Sequence, residues 1–267
     1  MDRAPGSDVE PALLDRIAPK RTPASEAARV GSTSGREAMI AAASFTNHEI
    51  EVVVTRLIAG SETVRASALV LSDAERQRAS RFAFDRDRRR FIVARARLRQ
   101  LLAVRLGVRP ESVEFAYGAH GKPALARRFA DSDLCFNVSH CDDVAAYALS
   151  CGRTVGIDVE ALRVIGDADD IAARYFSRRE NAMYCSLDPR DKLLGFFNCW
   201  TRKEAFLKAR GDGLSMPLDH FDVSLAPGEP AKILRVGNTP GDDSGWSLDS
   251  FSPAPGYVAA IASRDNG

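Results

Sequence analysis

The sequence predicts an α/β (α+β) fold of two similar halves, residues 47–152 and 153–264, each a small sheet packed on a long helix. Three observations predict it. Each half opens on a strand pattern: residues 49–57 cluster β-branched side chains, and residues 155–160 alternate apolar Val155, Ile157 and Val159 with Gly156, Asp158 and Glu160. Each half carries a long helical stretch, 75–106 and 193–209. Each closes on an apolar strand containing an Ala-Ala pair, Ala145-Ala146 and Ala259-Ala260. The halves share element order and not residue identity.

Composition sets the frame. The chain has 267 residues, 45% apolar and 27% charged, enough for real cores in one large or two small domains. A net charge of +1 argues against a generic nucleic-acid binder. Cys135, Cys141, Cys151, Cys185 and Cys199 are odd in number and show no C-x-x-C spacing, which favours reduced thiols and a cytoplasmic protein. No apolar run has the length of a membrane span, so no membrane partner is expected.

Residues 1–46 are rich in Ala, Ser, Thr, Pro, Gly and Arg and read as a disordered N-terminal extension, with Met39 a candidate translation start. Ser72 with Glu75 forms a capping box that starts the 75–106 helix, which is interrupted near 82–85. Phe91, Ala94, Leu98, Leu101 and Leu102 form its buried stripe. Around that stripe lie many arginines, Arg78 and Arg90 among them; most read as a solvated face, and one or two aimed at a cleft suffice for a phosphate. Residues 113–117 are a short strand, and Lys122 sits in a turn between Gly121 and Pro123. A strand over 134–138 runs into Ser139-His140, and 144–150 form the next strand.

The 155–160 strand follows. Its period places Asp158 and Glu160 on one side, where two acids repel each other unless a cation neutralises them. Hard oxygen ligands at this spacing suit Mg²⁺. Alone, an Asp-x-Glu is more often a solvated strand edge. After a helix over 167–176, Ser177 and Glu180 repeat the capping-box pattern and start another helix. In the 193–209 helix Trp200, Glu204 and Lys208 fall at i, i+4 and i+8 and offer a third carboxylate and an amine on nearly one face. The ordinary reading of Glu204 and Lys208 is a surface ion pair. Gly211 suits the helix C′ position. Strands over 221–225, 233–236, 246–251 and 257–263 complete the half, with a Gly-rich hairpin tip over 238–245.

In order along the chain stand Arg81-Phe82, Asp87-Arg88-Arg89-Arg90-Phe91, Gly121-Lys122-Pro123, Phe136-Asn137-Val138-Ser139-His140 and Gly156-Ile157-Asp158-Val159-Glu160. They are followed by Arg174-Tyr175-Phe176-Ser177 with Glu180, then Trp200-Thr201-Arg202-Lys203-Glu204-Ala205-Phe206-Leu207-Lys208. This ordered set resembles the 4′-phosphopantetheinyl transferases of the surfactin-synthetase-activating type. The resemblance implies a pseudo-dimer of two α/β halves with coenzyme A in the cleft between them. It implies transfer of the 4′-phosphopantetheine group from coenzyme A to a serine of an apo acyl or peptidyl carrier protein, releasing 3′,5′-ADP.

Carried over by position, the resemblance implies Mg²⁺, with Mn²⁺ as an alternative, on Asp158, Glu160 and Glu204. It makes Glu204 the general base and Lys208 a phosphate contact. Arg90, Lys122, Ser139 and His140 become coenzyme A contacts, and Arg78 supplies a charge where family members often have lysine. Glu75 departs from that basic pattern, and Cys141 stands where Ser is common. The related small holo-acyl-carrier-protein synthases build the same site between subunits; this chain carries both halves, so a monomer is expected. Two other classes compete: a catalytically silent carrier-binding scaffold, and an arginine-rich nucleic-acid binder. The second needs stacking aromatics among the charges, whereas Phe82, Phe84 and Phe91 sit at core-like spacings. Residues 171–197 read equally as two ordinary amphipathic helices or as a docking patch for the carrier, with Arg174, Arg178, Arg179, Arg190 and Lys192 around Tyr175, Phe176, Met183, Tyr184 and Phe197.

Overall fold

The computed structural model describes residues 39–45, 50–118, 122–211, 216–237 and 245–265. The first half contains β1 (Met39–Phe45), β2 (Ile50–Arg56), α1 (Ser61–Leu69), α2 (Asp73–Ser80), α3 (Asp85–Leu106), β3 (Phe115–Tyr117), β4 (Pro123–Leu125), β5 (Leu134–Cys141) and β6 (Val144–Cys151). The second contains β7 (Arg153–Ala161), α4 (Ala168–Tyr175), α5 (Arg178–Ser186), α6 (Lys192–Arg210), β8 (Phe221–Val223), β9 (Ile233–Val236), β10 (Trp246–Phe251) and β11 (Tyr257–Asp265). A four-stranded sheet runs β1-β2-β6-β5, a three-stranded sheet runs β10-β11-β7, and β3-β4 and β8-β9 are two-stranded. Every paired strand is antiparallel to its neighbour.

The alternation of side chains sorts the core into layers. Val53, Ala145, Tyr147 and Leu149 face α3 and pack on Val93, Leu98 and Leu102. Their neighbours Val52, Val54, Ala146 and Ala148 face the other way, onto Val155, Ile157, Val159, Ala259 and Ile261 of the second sheet. A strand buried on both faces reads as a continuous apolar run, which is what 144–150 shows. The outer face of the second sheet carries Gly156, Asp158 and Glu160 and receives α6.

Gly156 sets how closely α6 approaches. A Cβ there would lie 2.2 Å from the Ala205 carbonyl oxygen and 2.2 Å from the Ala209 nitrogen. Both are helix backbone atoms, so no side-chain rotation relieves the contact. Gly156→Ala should therefore destabilise the chain by about 3 kcal/mol, the upper end for adding one methyl to a packed interior. A melting temperature equal to wild type would show that the strand and helix are not in this contact.

Several expectations change. The extension was expected to run to 46, but 39–45 pair with β2 as an edge strand, an interaction across the sheet that local composition does not announce. Residues 1–38 lie outside the described residues. Helix α1 was not expected; its single buried residue, Val64, leaves no apolar periodicity to find. The 75–106 helix divides where expected, into α2 and α3. Phe82 and Phe84 are exposed rather than core, because they sit at that break; Phe82 meets Phe91 in a tilted ring contact with centroids 5.4 Å apart. The turn at 119–121 and the hairpin tip at 238–244 lie outside the described residues.

Candidate active site

Helix α6 is where the sequence becomes a site. From Gly195 to Ala209 every residue is buried except Glu204 and Lys208. Helices buried nearly all round belong to a core, so two charged residues at i, i+4 forming its one opening are not an ordinary solvated face. Trp200, expected on the same face, lies one turn earlier inside an aromatic cluster with Phe196, Phe197, Phe176 and Tyr184.

Opposite this opening stands β7. The close contact at Gly156 brings Lys208 beside Asp158: Lys208 Nζ donates to Asp158 Oδ1 at 2.6 Å and to Ser139 Oγ at 3.2 Å. Ser139 in turn donates to Asp158 Oδ1 at 3.0 Å. Burial pushes the Lys208 ammonium down, but Asp158, Glu204 and Glu160 together raise it, so it stays charged. Glu160 faces Arg163 at 3.4 Å and accepts from the Cys141 thiol at 3.4 Å. Burial first, and then the Asp158 charge, push the Glu160 carboxyl up to about 7. Burial and Glu160 push the Cys141 thiol up to about 12, so it remains a thiol donor.

The first half supplies cations. His140 projects from β5 with an exposed side chain, and the protein packed near it together with the charges of Lys208, Arg90, Arg78 and Arg95 lowers its pKa. The positive field of these four cations at His140 suits an anion. Arg90 is held by Asp143, with its Nε 2.7 Å from Oδ1, and Arg78 lies over the Phe91 ring at 5.3 Å. Lys122, just before β4, donates to the Lys208 carbonyl near the end of α6. Burial and Lys208 lower the Lys122 pKa. Glu75, out of place in a basic pattern, is a buried capping-box residue that also pairs with Arg99 at 2.7 Å.

The structure thus links Asp158, Ser139 and Lys208 directly, places Glu160 beside Asp158, and sets Arg78 and Arg90 within electrostatic reach of His140. It does not assemble a ready-made metal cage. Among the described residues, no three His, Cys, Asp or Glu side chains are grouped to hold a metal ion, so Glu204 does not complete a closed set with Asp158 and Glu160. The two strand carboxylates turn instead to Lys208 and Arg163. The donor chemistry still fits Mg²⁺: Asp158 Oδ2 is buried without a hydrogen-bond partner, and Mg²⁺ takes one or two carboxylates with waters and phosphates.

The docking patch keeps only Tyr175 and Met183, both half-buried, of its expected apolar centre. Phe176, Tyr184 and Phe197 are core residues, while Arg174, Arg178 and Arg179 are exposed. Three residues of the ordered set, with no site role assigned from the sequence, also shape this region. Gly156 carried a signal, since glycine inside a strand marks close backbone approach. Lys203 also did: it shares a helix face with Phe196, Trp200 and Leu207. It is fully buried, pairs with Glu180 at 2.8 Å and donates to the Leu218 and Phe221 carbonyls at 2.6 Å each. Asn137 carried none.

Comparison with known proteins identifies the family of the chain. The 4′-phosphopantetheinyl transferase superfamily matches residues 154–262, and the family described as 4′-phosphopantetheinyl transferase, N-terminal, matches residues 60–152. The chain is 43% identical to the 4′-phosphopantetheinyl transferase HetI of Nostoc sp., over 73% of this chain and 79% of that protein. It is 27% identical to the 4′-phosphopantetheinyl transferase Sfp of Bacillus subtilis, over 72% of this chain and 81% of that one. It is 28% identical to the human L-aminoadipate-semialdehyde dehydrogenase-phosphopantetheinyl transferase, over 71% and 66%.

Proposed function

Because the chain belongs to the 4′-phosphopantetheinyl transferase superfamily, we propose that it moves the phosphopantetheine arm of coenzyme A onto a serine of an apo acyl or peptidyl carrier protein. The observation that carries this reading is the opening of α6 at Glu204 and Lys208 against Asp158 and Glu160. We read the chain as the two-half, surfactin-synthetase-activating type, a monomeric cytoplasmic enzyme, supported by both matched segments lying in one chain. No described helix is long and apolar enough to cross a membrane.

In this reading Arg78, Arg90, Lys122 and His140 bind coenzyme A, with Arg90 and His140 toward its 3′-phosphate. Lys208 and Ser139 lie where the pyrophosphate meets β7. Glu204 takes the proton of the carrier serine, whose oxygen attacks the phosphorus bearing the pantetheine arm; the bond to 3′,5′-ADP breaks. Asp158 and Glu160, with Glu204 as a third carboxylate, would hold Mg²⁺ or Mn²⁺, which would supply neutralisation of charge on the departing phosphate. An ordinary Glu is weakly basic for this task at neutral pH, so the position of Glu204 matters more than its basicity. Chromatography of a mixture with coenzyme A, Mg²⁺ and an apo carrier should show 3′,5′-ADP; coenzyme A recovered intact with every carrier type would overturn the reading.

Metal binding should depend on pH. Glu160 must be ionised to take a cation, and its carboxyl loses its proton near 7 in the metal-free fold. That value lies above the unfolded one, so metal-free stability falls as pH rises between them. Added Mg²⁺ should therefore raise the melting temperature more at about pH 8 than at about pH 6. An equal rise at both would contradict this assignment of Glu160.

The exposed Arg178 and Arg179 support a basic docking rim for an acidic carrier. Reversing both charges should raise KM for the carrier by about tenfold and leave KM for coenzyme A unchanged. An unchanged carrier KM would remove the rim from the interface.

A further inference from the structure

The two sheets meet along β5 and β7, and they do not meet by backbone pairing. β7 is the edge of its sheet, with β11 on one side only. The amides on its other side need partners from elsewhere. Three of them find side chains of β5. The Ile157 N–H donates to Asn137 Oδ1 at 2.9 Å, the Val159 N–H to Ser139 Oγ at 3.3 Å, and the Ala161 N–H to Cys141 Sγ at 3.4 Å. Each partner pair is separated by 20 residues, so the two strands run parallel in constant register. Asn137, Ser139 and Cys141 recur with the period of one strand face, and all three are buried.

A backbone ladder would draw the strands to about 4.8 Å and leave no room for side chains between them. The side-chain rungs hold the edges farther apart, and Ser139 occupies that space while donating to Asp158. Asp158 lies between the Ile157 and Val159 rungs, and Glu160 between the Val159 and Ala161 rungs. On β5, His140 lies between the Ser139 and Cys141 rungs. The ladder therefore connects the carboxylate strand to the strand that carries the anion-binding histidine.

We infer that Asn137 is a positioning residue for the transfer reaction: its rung sets the carboxylates of β7 at a fixed offset from the coenzyme A contacts of β5. The inference rests on the transferase reading. Asn137 touches no reacting atom; it acts through Ile157 and the strand. Misplacement of reacting groups by about 1 Å can lower a rate about a hundredfold while leaving binding of the remote end of a substrate intact.

The test combines amide exchange with steady-state kinetics on the full chain. In wild type the amides of Ile157, Val159 and Ala161 should be protected, although none of them faces β11. Asn137→Ala should speed exchange at Ile157 at least about tenfold and lower kcat by about ten- to a hundredfold, well below the melting temperature. KM for coenzyme A should stay within about twofold. Asn137→Asp, which keeps an acceptor oxygen, should restore protection and most of kcat. Freely exchanging wild-type amides would overturn the ladder itself, whatever the variants do. A freed Ile157 amide with unchanged kcat would reduce Asn137 to a structural brace and overturn the positioning role. A rise in KM matching the loss of kcat would place Asn137 in coenzyme A binding instead. These failures occur in an active wild type; a wild type without transfer would overturn the functional reading, and the positioning role with it.

Discussion

Asp158→Asn should lower phosphopantetheine transfer by about 10²–10³-fold, the range for removing one preorganised group that stabilises developing charge. The substitution is nearly isosteric. The amide oxygen can still accept from Ser139 and Lys208, which now contact Asp158 Oδ1 at 3.0 and 2.6 Å. Only the negative charge is lost, so the fold should persist and the metal should not. The same change removes the like charge that, after burial, raises the Glu160 carboxyl, which should then titrate closer to an ordinary glutamate. Turnover measured beside a thermal melt separates the outcomes. A folded Asp158→Asn chain with wild-type turnover would exclude this carboxylate from the chemistry.

The largest effect on stability is expected at Lys203. Its side chain has no exposed surface and Glu180 is 1% exposed, so neither charge has water in place of the other. Lys203 also lies 4.0 Å above the Phe221 ring. Glu180 also ties its own helix to β8: it caps α5 at the Ser177 N–H (2.8 Å) and accepts from the Val223 N–H (2.7 Å). Removing one partner of a buried pair leaves the other uncompensated, which costs about 3–5 kcal/mol. Lys203→Ala should therefore lower the melting temperature by roughly 10 °C in a chain of this size. A double-mutant cycle with Glu180→Gln should show coupling. A Lys203→Ala chain that melts like wild type but has lost activity would move Lys203 from the core to the chemistry.

Much of the fold was legible because its signals are local. Ser72 with Glu75 and Ser177 with Glu180 form complete capping boxes where the sequence places them. The alternation over 155–160 sorts apolar side chains inward and carboxylates toward α6. What stayed hidden depends on partners distant in sequence. Residues 39–45 are a strand because β2 offers them an edge. The rings of Phe176, Tyr184 and Phe197 read equally well as part of a docking patch or of ordinary amphipathic helices, and packing around Trp200 puts them in the core. Within the site, Asp158, Glu204 and Lys208 were visible as residue types at telling intervals. The rung from Asn137 to the Ile157 amide joins a side chain to a backbone group 20 residues away, which no pattern of side chains encodes.

The most direct measurement is the intact mass of an apo carrier domain after incubation with this chain, coenzyme A and Mg²⁺, beside samples containing EDTA or the Glu204→Gln variant. The expected result is a gain of one phosphopantetheine arm that disappears with EDTA and in the variant. No gain on acyl or peptidyl carriers, from a chain that still binds coenzyme A, would contradict transfer as its activity.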